Sequence, residues 1–135
     1  TAVDKIKRGE IFARDPITLT SFRLKSSDYF GLYNRSNHTA NLKINYQMPI
    51  IKTAVNMRVF YRSKYGIFDS NNNNILDKYD DFVKGYFLTN LTLTKDFNNA
   101  FSIQVGVINL MDYKDETNIP NLPGRQLFTK IEYQF

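Results

Sequence analysis

Gln126-Leu127-Phe128-Thr129-Lys130-Ile131-Glu132-Tyr133-Gln134-Phe135 is the stretch that decides the fold class of this chain. Leu127, Thr129, Ile131, Tyr133 and Phe135 hold the odd positions; Gln126, Phe128, Lys130, Glu132 and Gln134 hold the even ones. Successive side chains of a β-strand point to opposite faces, so this alternation describes a strand with one nearly apolar face.

Four more alternating segments lie upstream. Phe101–Asn109 sets Phe101, Ile103, Val105 and Val107 against Ser102, Gln104 and Gly106. Tyr86–Thr94 groups Phe87, Thr89, Leu91 and Leu93 on one face. Val55–Tyr65 sets Val55, Met57, Val59, Tyr61 and Tyr65 against Asn56, Arg58, Arg62 and Lys64, and Ala40–Met48 sets Ala40, Leu42, Ile44, Tyr46 and Met48 against Asn41, Lys43, Asn45 and Gln47. Short links near 49–53 and 95–100 alternate with long ones near 66–84 and 112–124. Outer-membrane β-barrels have short periplasmic turns and long extracellular loops, and the pattern predicts that arrangement here. Tyr46, Phe97, Phe101, Tyr133 and Phe135 fall at the short-turn end, where an interfacial aromatic girdle belongs, and Tyr61, Tyr65 and Tyr86 are expected at the other interface.

Composition agrees. The chain has 135 residues, is 42% hydrophobic and 15% aromatic, and carries a net charge of +5. It is too apolar for a disordered segment. It has no Cys, so disulfides and thiolate–metal sites are excluded. No apolar run is long enough for a membrane-spanning helix, a restriction that does not touch a barrel, where only alternate residues meet lipid. The cations are dispersed rather than gathered on one face, which argues against nucleic acid. In an outer membrane some of them would meet anionic lipopolysaccharide.

Residues 1–37 have poor periodicity and much charge. They are expected to form mainly one extracellular loop, with Lys5–Glu10 as a short helix or irregular strand. Residues 38–135 are expected to supply five strands, two short turns and two long loops. Five strands cannot close a barrel, and open edges in lipid cost several kcal/mol per unsatisfied group. The strands are therefore expected to belong to a longer polypeptide. Thr1, with no signal pattern after it, fits a mature piece or fragment.

At this point Gly106-Val107-Ile108-Asn109-Leu110-Met111-Asp112 resembles the penultimate-strand motif of TonB-dependent outer-membrane receptors, usually Gly-Val-x-Asn-Leu-Phe-Asp. Pro123-Gly124-Arg125, followed by an alternating strand ending in Phe135, resembles their C-terminal signature. Tyr33-Asn34-Arg35-Ser36-Asn37-His38 resembles a segment before a late strand of such receptors. Met111 and Lys130 depart from the usual residues. The resemblance implies an all-β, antiparallel up-and-down transmembrane barrel of about 22 strands, of which this chain supplies the C-terminal ones. It also implies the import of a scarce nutrient (haem, cobalamin, a siderophore or a glycan) across the outer membrane of a bacterium. The partners it implies are membrane lipid and lipopolysaccharide, a plug domain and the rest of the barrel, TonB through an N-terminal part absent here, and a surface lipoprotein. Phe135 fits a signal for barrel assembly.

One loop has metal-ligand spacing. In Asp69-Ser70-Asn71-Asn72-Asn73-Asn74-Ile75-Leu76-Asp77-Lys78-Tyr79-Asp80, Asp69, Asn71, Asn73, the Ile75 carbonyl, Asp77 and Asp80 fall at positions 1, 3, 5, 7, 9 and 12 of a calcium loop. Asn74 takes position 6, which needs a left-handed backbone. The competing reading is an Asn-rich loop tip. His38, the single histidine, is a weak candidate for a haem ligand, and it and Arg35 are expected to hydrogen-bond within their loop. Arg58, Arg62, Lys43, Lys130 and Glu132 share the polar face, the lumen side of a barrel. No cofactor is required and no catalytic constellation stands out, so an enzyme is not expected. Two other readings use the same strands: a soluble antiparallel sandwich or barrel acting as a binding module, and a passive porin.

Overall fold

The computed structural model describes residues 2–9, 12–15 and 17–134, and within these every side chain but those of residues 2, 3 and 26. The elements in chain order are α1 (Ala2–Arg8), β1 (Phe12–Arg14), β2 (Ser21–Arg23), β3 (Thr39–Met48), β4 (Thr53–Arg62), β5 (Tyr65–Phe68), β6 (Asp81–Val83), β7 (Tyr86–Asp96), β8 (Phe101–Ile108) and β9 (Gln126–Tyr133), with single 3-10 turns at Ser26–Asp28 and Pro49–Ile51. They form two compact units. One comprises Thr39–Arg62 with Tyr86–Phe135, the other Thr1–His38 with Ser63–Gly85.

The first of these units is an antiparallel sheet in the order β3-β4-β7-β8-β9. Its register aligns the alternation of all five strands. One row runs Ile44, Met57, Leu91, Val107, Leu127, and the next runs Tyr46, Val55, Leu93, Val105, Thr129. A one-residue slip between any two strands would put an apolar set on the polar face, so the pattern itself fixes the pairing. Lys95 is the sole charge on the apolar face, and its amine donates to the Ile51 carbonyl. This face is open: Leu127 is 77% exposed, Ile131 65% and Tyr133 61%. The opposite face carries Asn41, Lys43, Asn56, Arg58, Asn90, Thr92, Gln104, Lys130 and Glu132. Lys43 faces Arg58 across the β3–β4 pair, and Lys130 pairs with Glu132 on its own strand.

The short connections are tight. Between β3 and β4, Lys52 turns left-handed (φ 47°) and its N–H donates to the Pro49 carbonyl at 3.1 Å. Between β7 and β8, Phe97 N–H donates to Phe101 O at 3.0 Å, and the two rings lie 5.4 Å apart. The sheet is not closed: β3 and β9 are its edges.

The structure corrects two expectations of the strand pattern. The segment Val55–Tyr65 is not one strand: β4 ends at Arg62, and Tyr65 opens β5 in the other unit. Tyr86 does not share a face with Tyr61. Strand alternation puts it opposite Phe87, and it is Phe87 whose ring sits 4.7 Å from Tyr61.

The second unit is small and irregular. β1 pairs with β2, and β5 pairs with β6 through a register shift between Gly66 and Phe68. Its core gathers Ile6, Ala13, Leu24 and Ile75, with Phe22 and Tyr29 packed against it. Within residues 1–37, residues 5–8 lie in α1, one of the two forms expected there, and β1 pairs with β2; both contribute to this core together with Ile75. The link at 66–84 is likewise a hairpin with the Asn-rich segment at its tip. Of the predicted residues, Glu10 and Phe135 lie outside the described ones.

Candidate functional site

The two motifs near the C-terminus form one structure, and Asn109 is its centre. β8 stops at Ile108, and Asn109 turns left-handed (φ 53°), a conformation that Asn tolerates better than most residues. The turn aims its amide into the mouth of the following loop. Asn109 Nδ2 donates to the Tyr113 carbonyl at 2.8 Å and to the Pro123 carbonyl at 3.0 Å, and Oδ1 accepts the Tyr113 N–H at 3.0 Å. The side chain is 3% exposed, so these bonds replace water that cannot reach it. Backbone bonds from Asn109 N to Asn90 Oδ1 (3.0 Å) and from Leu110 N to Thr89 O (2.7 Å) hold the turn against β7.

Asp112, also left-handed (φ 53°), completes the clamp. Its Oδ1 accepts the Arg125 N–H at 2.7 Å. That bond, helped by the charge of Lys114, holds the exposed Asp112 carboxyl below the usual aspartate range. Gly124 leaves the room: a Cβ there would fall 2.7 Å from Asp112 Oδ1 and 2.2 Å from Lys114 Cε. Gly106 is explained similarly. It faces Phe128 across β8–β9, and an added Cβ would sit 2.4 Å from that ring. Of the predicted motif residues, Gly106, Asn109, Leu110, Asp112, Pro123, Gly124 and Arg125 therefore hold the barrel-type sheet and its last long loop together. Sequence reading missed Asn90, Thr89 and Tyr113, the partners of this clamp. Tyr113 also stacks on Tyr86, centroids 4.8 Å apart.

The Asp69–Asp80 segment lies in the other unit. Ile75 and Leu76 are buried, and Leu76 packs where a Cβ of Gly66 would stand (2.1 Å). This anchoring draws Asp77 inside, to 0% exposure. Asn72 and Asn74 are left-handed (φ 56° and 60°), as the spacing requires of Asn74. Asp69 accepts the N–H groups of Asn73 (3.3 Å) and Asn74 (2.7 Å), and Asn73 Oδ1 accepts that of Ile75 (2.8 Å). Asp77 Oδ2 accepts from Asn71 Nδ2 at 2.9 Å and Asn73 Nδ2 at 2.8 Å, which turns two of the expected ligand side chains nitrogen-first toward the carboxylate. Asp80 accepts from the N–H of Ser70 (2.9 Å) and of Asp77 (2.7 Å), and from Tyr33 Oη at 3.3 Å. Burial pushes the Asp80 carboxyl above the ordinary aspartate range, against the pull of its backbone donors, and Asp77 and Asp69 add like-charge repulsion. Burial and the same carboxylates push the Tyr33 phenol upward. Among the described residues, no three His, Cys, Asp or Glu side chains converge as a metal cluster. Oxygen ligation by Asn71 and Asn73 would need both amides rotated.

His38 is exposed and engages Ser63 through its backbone: its N–H donates to Ser63 Oγ at 3.0 Å, and its carbonyl accepts the Ser63 N–H at 2.9 Å. Arg35 N–H donates to Leu32 O at 3.3 Å. Arg35 thus bonds within its loop through main chain, whereas the bonds of His38 leave the loop for Ser63.

The five-stranded unit has the architecture of part of an antiparallel β-barrel wall: all strands antiparallel, one face apolar, the other polar, short and long connections alternating. Among solved structures, that of a mutant ferric enterobactin receptor (PfeA) from Pseudomonas aeruginosa matches over 85% of this chain and 19% of its own, with a TM-score of 0.57 and 18% identity. The chain spans less than a fifth of that receptor, and at this identity the likeness concerns the fold. No family model matches, and no curated protein does.

Proposed function

We propose that this chain is the C-terminal barrel segment of a TonB-dependent outer-membrane receptor that imports a scarce nutrient, of the class haem, cobalamin, siderophore or glycan. The observation that carries the reading is the apolar face. About twenty contiguous positions on five strands hold a single charge, Lys95, and the outer rows are open. Exposed apolar patches on soluble monomers rarely exceed a few hundred Å². A ten-residue strand such as β4 is about 33 Å long. Tilted by about 40° it crosses an apolar band of about 25 Å. Tyr61 and Phe87 at one end, and Tyr46, Phe101 and Tyr133 at the other, then stand where lipid headgroups begin. The fold likeness to a ferric enterobactin receptor and the clamped motifs support the same reading.

The partners that follow are lipid and lipopolysaccharide on the apolar face, a plug domain and further strands on the polar face and edges, TonB through the rest of the protein, and a surface lipoprotein at the loops. Calcium remains a proposal for the Asp69–Asp80 loop, on its ligand spacing alone.

The test uses the whole protein in its native membrane. The expected result is an outer-membrane species whose mobility on an unheated detergent gel differs from that of the boiled protein, and nutrient uptake that stops when TonB is deleted. A protein that is soluble and monomeric without detergent would establish the binding-module reading instead. A folded barrel whose uptake ignores TonB would establish a porin.

A further inference from the structure

The apolar face of the five-stranded sheet is not even. On β8 it carries Val105 and Val107, whose side chains are shorter than those of Leu91 and Leu93 on β7 and Leu127 on β9. The valines and Thr129 form the low part of a groove of about 420 Å³, and the leucines form its sides. Among the described residues that line it, Thr129 alone has a polar side chain. The backbone N–H and C=O groups of these strands bond within the plane of the sheet, so a peptide laid on this face would find no main-chain partner.

One row beyond the groove, toward the short turns, stands Lys95, paired with Thr53 on β4 and Ile103 on β8. Its amine donates to the Ile51 carbonyl, and the Thr53 hydroxyl donates to the same oxygen at 3.0 Å. The shared acceptor holds the amine at the turn end of the sheet, where Phe101 and Tyr133 form the next cross-strand pair. A lysine that reaches back in this way keeps its stem on apolar surface and its charge at the interface. An ammonium has three donors, so the bond to Ile51 leaves capacity for an anionic acceptor. A charge beside hydrocarbon is costly, and a paired anion lowers that cost.

Groove and cation together describe an amphiphile with an anionic head and a straight apolar tail. From the Lys95 row to the Leu91 row the strand runs about 13 Å. Half of a hydrocarbon core of about 30 Å, the depth of one leaflet, is close to that length. We infer that this face seats one phospholipid of the periplasmic leaflet, its phosphate on Lys95 and one acyl chain laid along β8. The short turns are the periplasmic end of an outer-membrane barrel, which sets the head in that leaflet and away from the lipopolysaccharide of the other. This inference rests on the outer-membrane reading and deepens it: the lipid partner gains a leaflet, a headgroup contact and a seat.

The test is native mass spectrometry of the full-length protein in detergent. It is titrated with dioleoyl phosphatidylglycerol, with the diacylglycerol of the same chains, and with glycerol phosphate. Phosphatidylglycerol is expected to bind at least about tenfold more tightly than diacylglycerol, the scale of one charge-assisted hydrogen bond, and glycerol phosphate is expected not to be retained. Lys95→Gln is expected to erase the difference between the two lipids. Val105→Phe, which fills the groove, is expected to weaken both, and Val55→Phe, on the same row outside the groove, neither. Each variant is first checked for the mobility shift of a folded barrel. Phosphatidylglycerol with a diazirine in its acyl chain, photolysed in vesicles, is expected to label β7, β8 and β9 in preference to β3 and β4. Equal binding of the two lipids by the wild type would overturn the inference. So would a preference that survives Lys95→Gln, label spread evenly over the five strands, retention of glycerol phosphate by itself, or a photo-crosslinker at position 105 that captures another protein. A protein that is soluble and monomeric without detergent would instead remove the outer-membrane reading, before any lipid is added.

Discussion

Replacing Asn109 with alanine opens the last long loop. The substitution removes three hydrogen bonds of 2.8–3.0 Å from a side chain that is 3% exposed. At roughly 0.5–1.5 kcal/mol net for each, their loss costs about 1.5–4.5 kcal/mol. Alanine must also hold the left-handed backbone at φ 53°, which adds roughly 1 kcal/mol. The main-chain bonds from residues 109 and 110 to Asn90 and Thr89 survive, so the damage is confined to the loop. The reading is hydrogen exchange of the full-length protein in detergent, at the amides of Tyr113 and Arg125. A local loss of about 3–4 kcal/mol corresponds to protection falling roughly a hundredfold to a thousandfold. Asn109→Gly separates the two contributions: glycine relieves the backbone cost but restores no bond, and is expected to recover only the smaller part. Asn109→Asp keeps the acceptor for Tyr113 but sets a carboxylate against the Tyr113 and Pro123 carbonyls, and is expected to be no better than alanine. Protection at Tyr113 and Arg125 within about threefold of wild type in Asn109→Ala would refute the clamp, because three buried hydrogen bonds cannot be lost at that cost.

Four further outcomes are expected. Val105→Arg on the apolar face should destabilise the full-length protein in lipid vesicles by about 2–4 kcal/mol in urea unfolding, whereas Gln104→Arg on the next residue should change it little; equal effects would contradict the assignment of faces. Gly106→Val should cost about 1–3 kcal/mol in the same assay, because its side chain enters the space of the Phe128 ring. The Asp112 carboxylate is held below the ordinary value by the Arg125 N–H, so the stability it lends is complete above that value and declines as pH falls through the lower, folded one; protection of the Arg125 amide, relative to its intrinsic exchange rate at each pH, should fall in acid, and Asp112→Asn should abolish that pH dependence. Asp80 runs the other way. Its carboxyl should titrate above 3.8 by carboxyl NMR, and the folded loop should gain stability as pH falls through that raised midpoint. Asp77→Asn, which removes a like charge, should bring the midpoint down, and calcium at millimolar concentration should perturb the same signals if Asn71 and Asn73 turn their oxygens inward; an unchanged spectrum after chelation and calcium readdition would end the calcium reading.

What was legible in the sequence follows from period. Alternation over eight or more residues placed β3, β4, β7, β8 and β9 and both of their faces, because a strand's side chains have no other choice of direction. Alternation could not find β5 and β6, which are too short to show a period, nor that Leu76 packs over Gly66. Position along the chain misled where face should have ruled: Tyr86 is near Tyr61 in height but turned the other way, onto Tyr113. The calcium spacing of Asp69–Asp80 was visible, as was the left-handed Asn74, but the direction of the Asn71 and Asn73 amides depends on where the burial of Ile75 and Leu76 draws Asp77. The clamp was visible only as two separate motifs. Asn109 bonds to main-chain carbonyls of Tyr113 and Pro123, and such partners carry no side-chain signature.

That last point has a consequence for how such a protein can change. Since the loop is gripped by its peptide groups at either end, the side chains of residues 115 to 121 owe little to the wall that carries them. The segment makes its own small turns, with Asp115 accepting from Asn118 at 3.0 Å and Ile119 bonded back to Asp115 at 2.8 Å. A different insert of other length or composition would fit the same socket, provided its ends still presented two carbonyls to Asn109. The sheet and the loop it carries can thus vary almost independently.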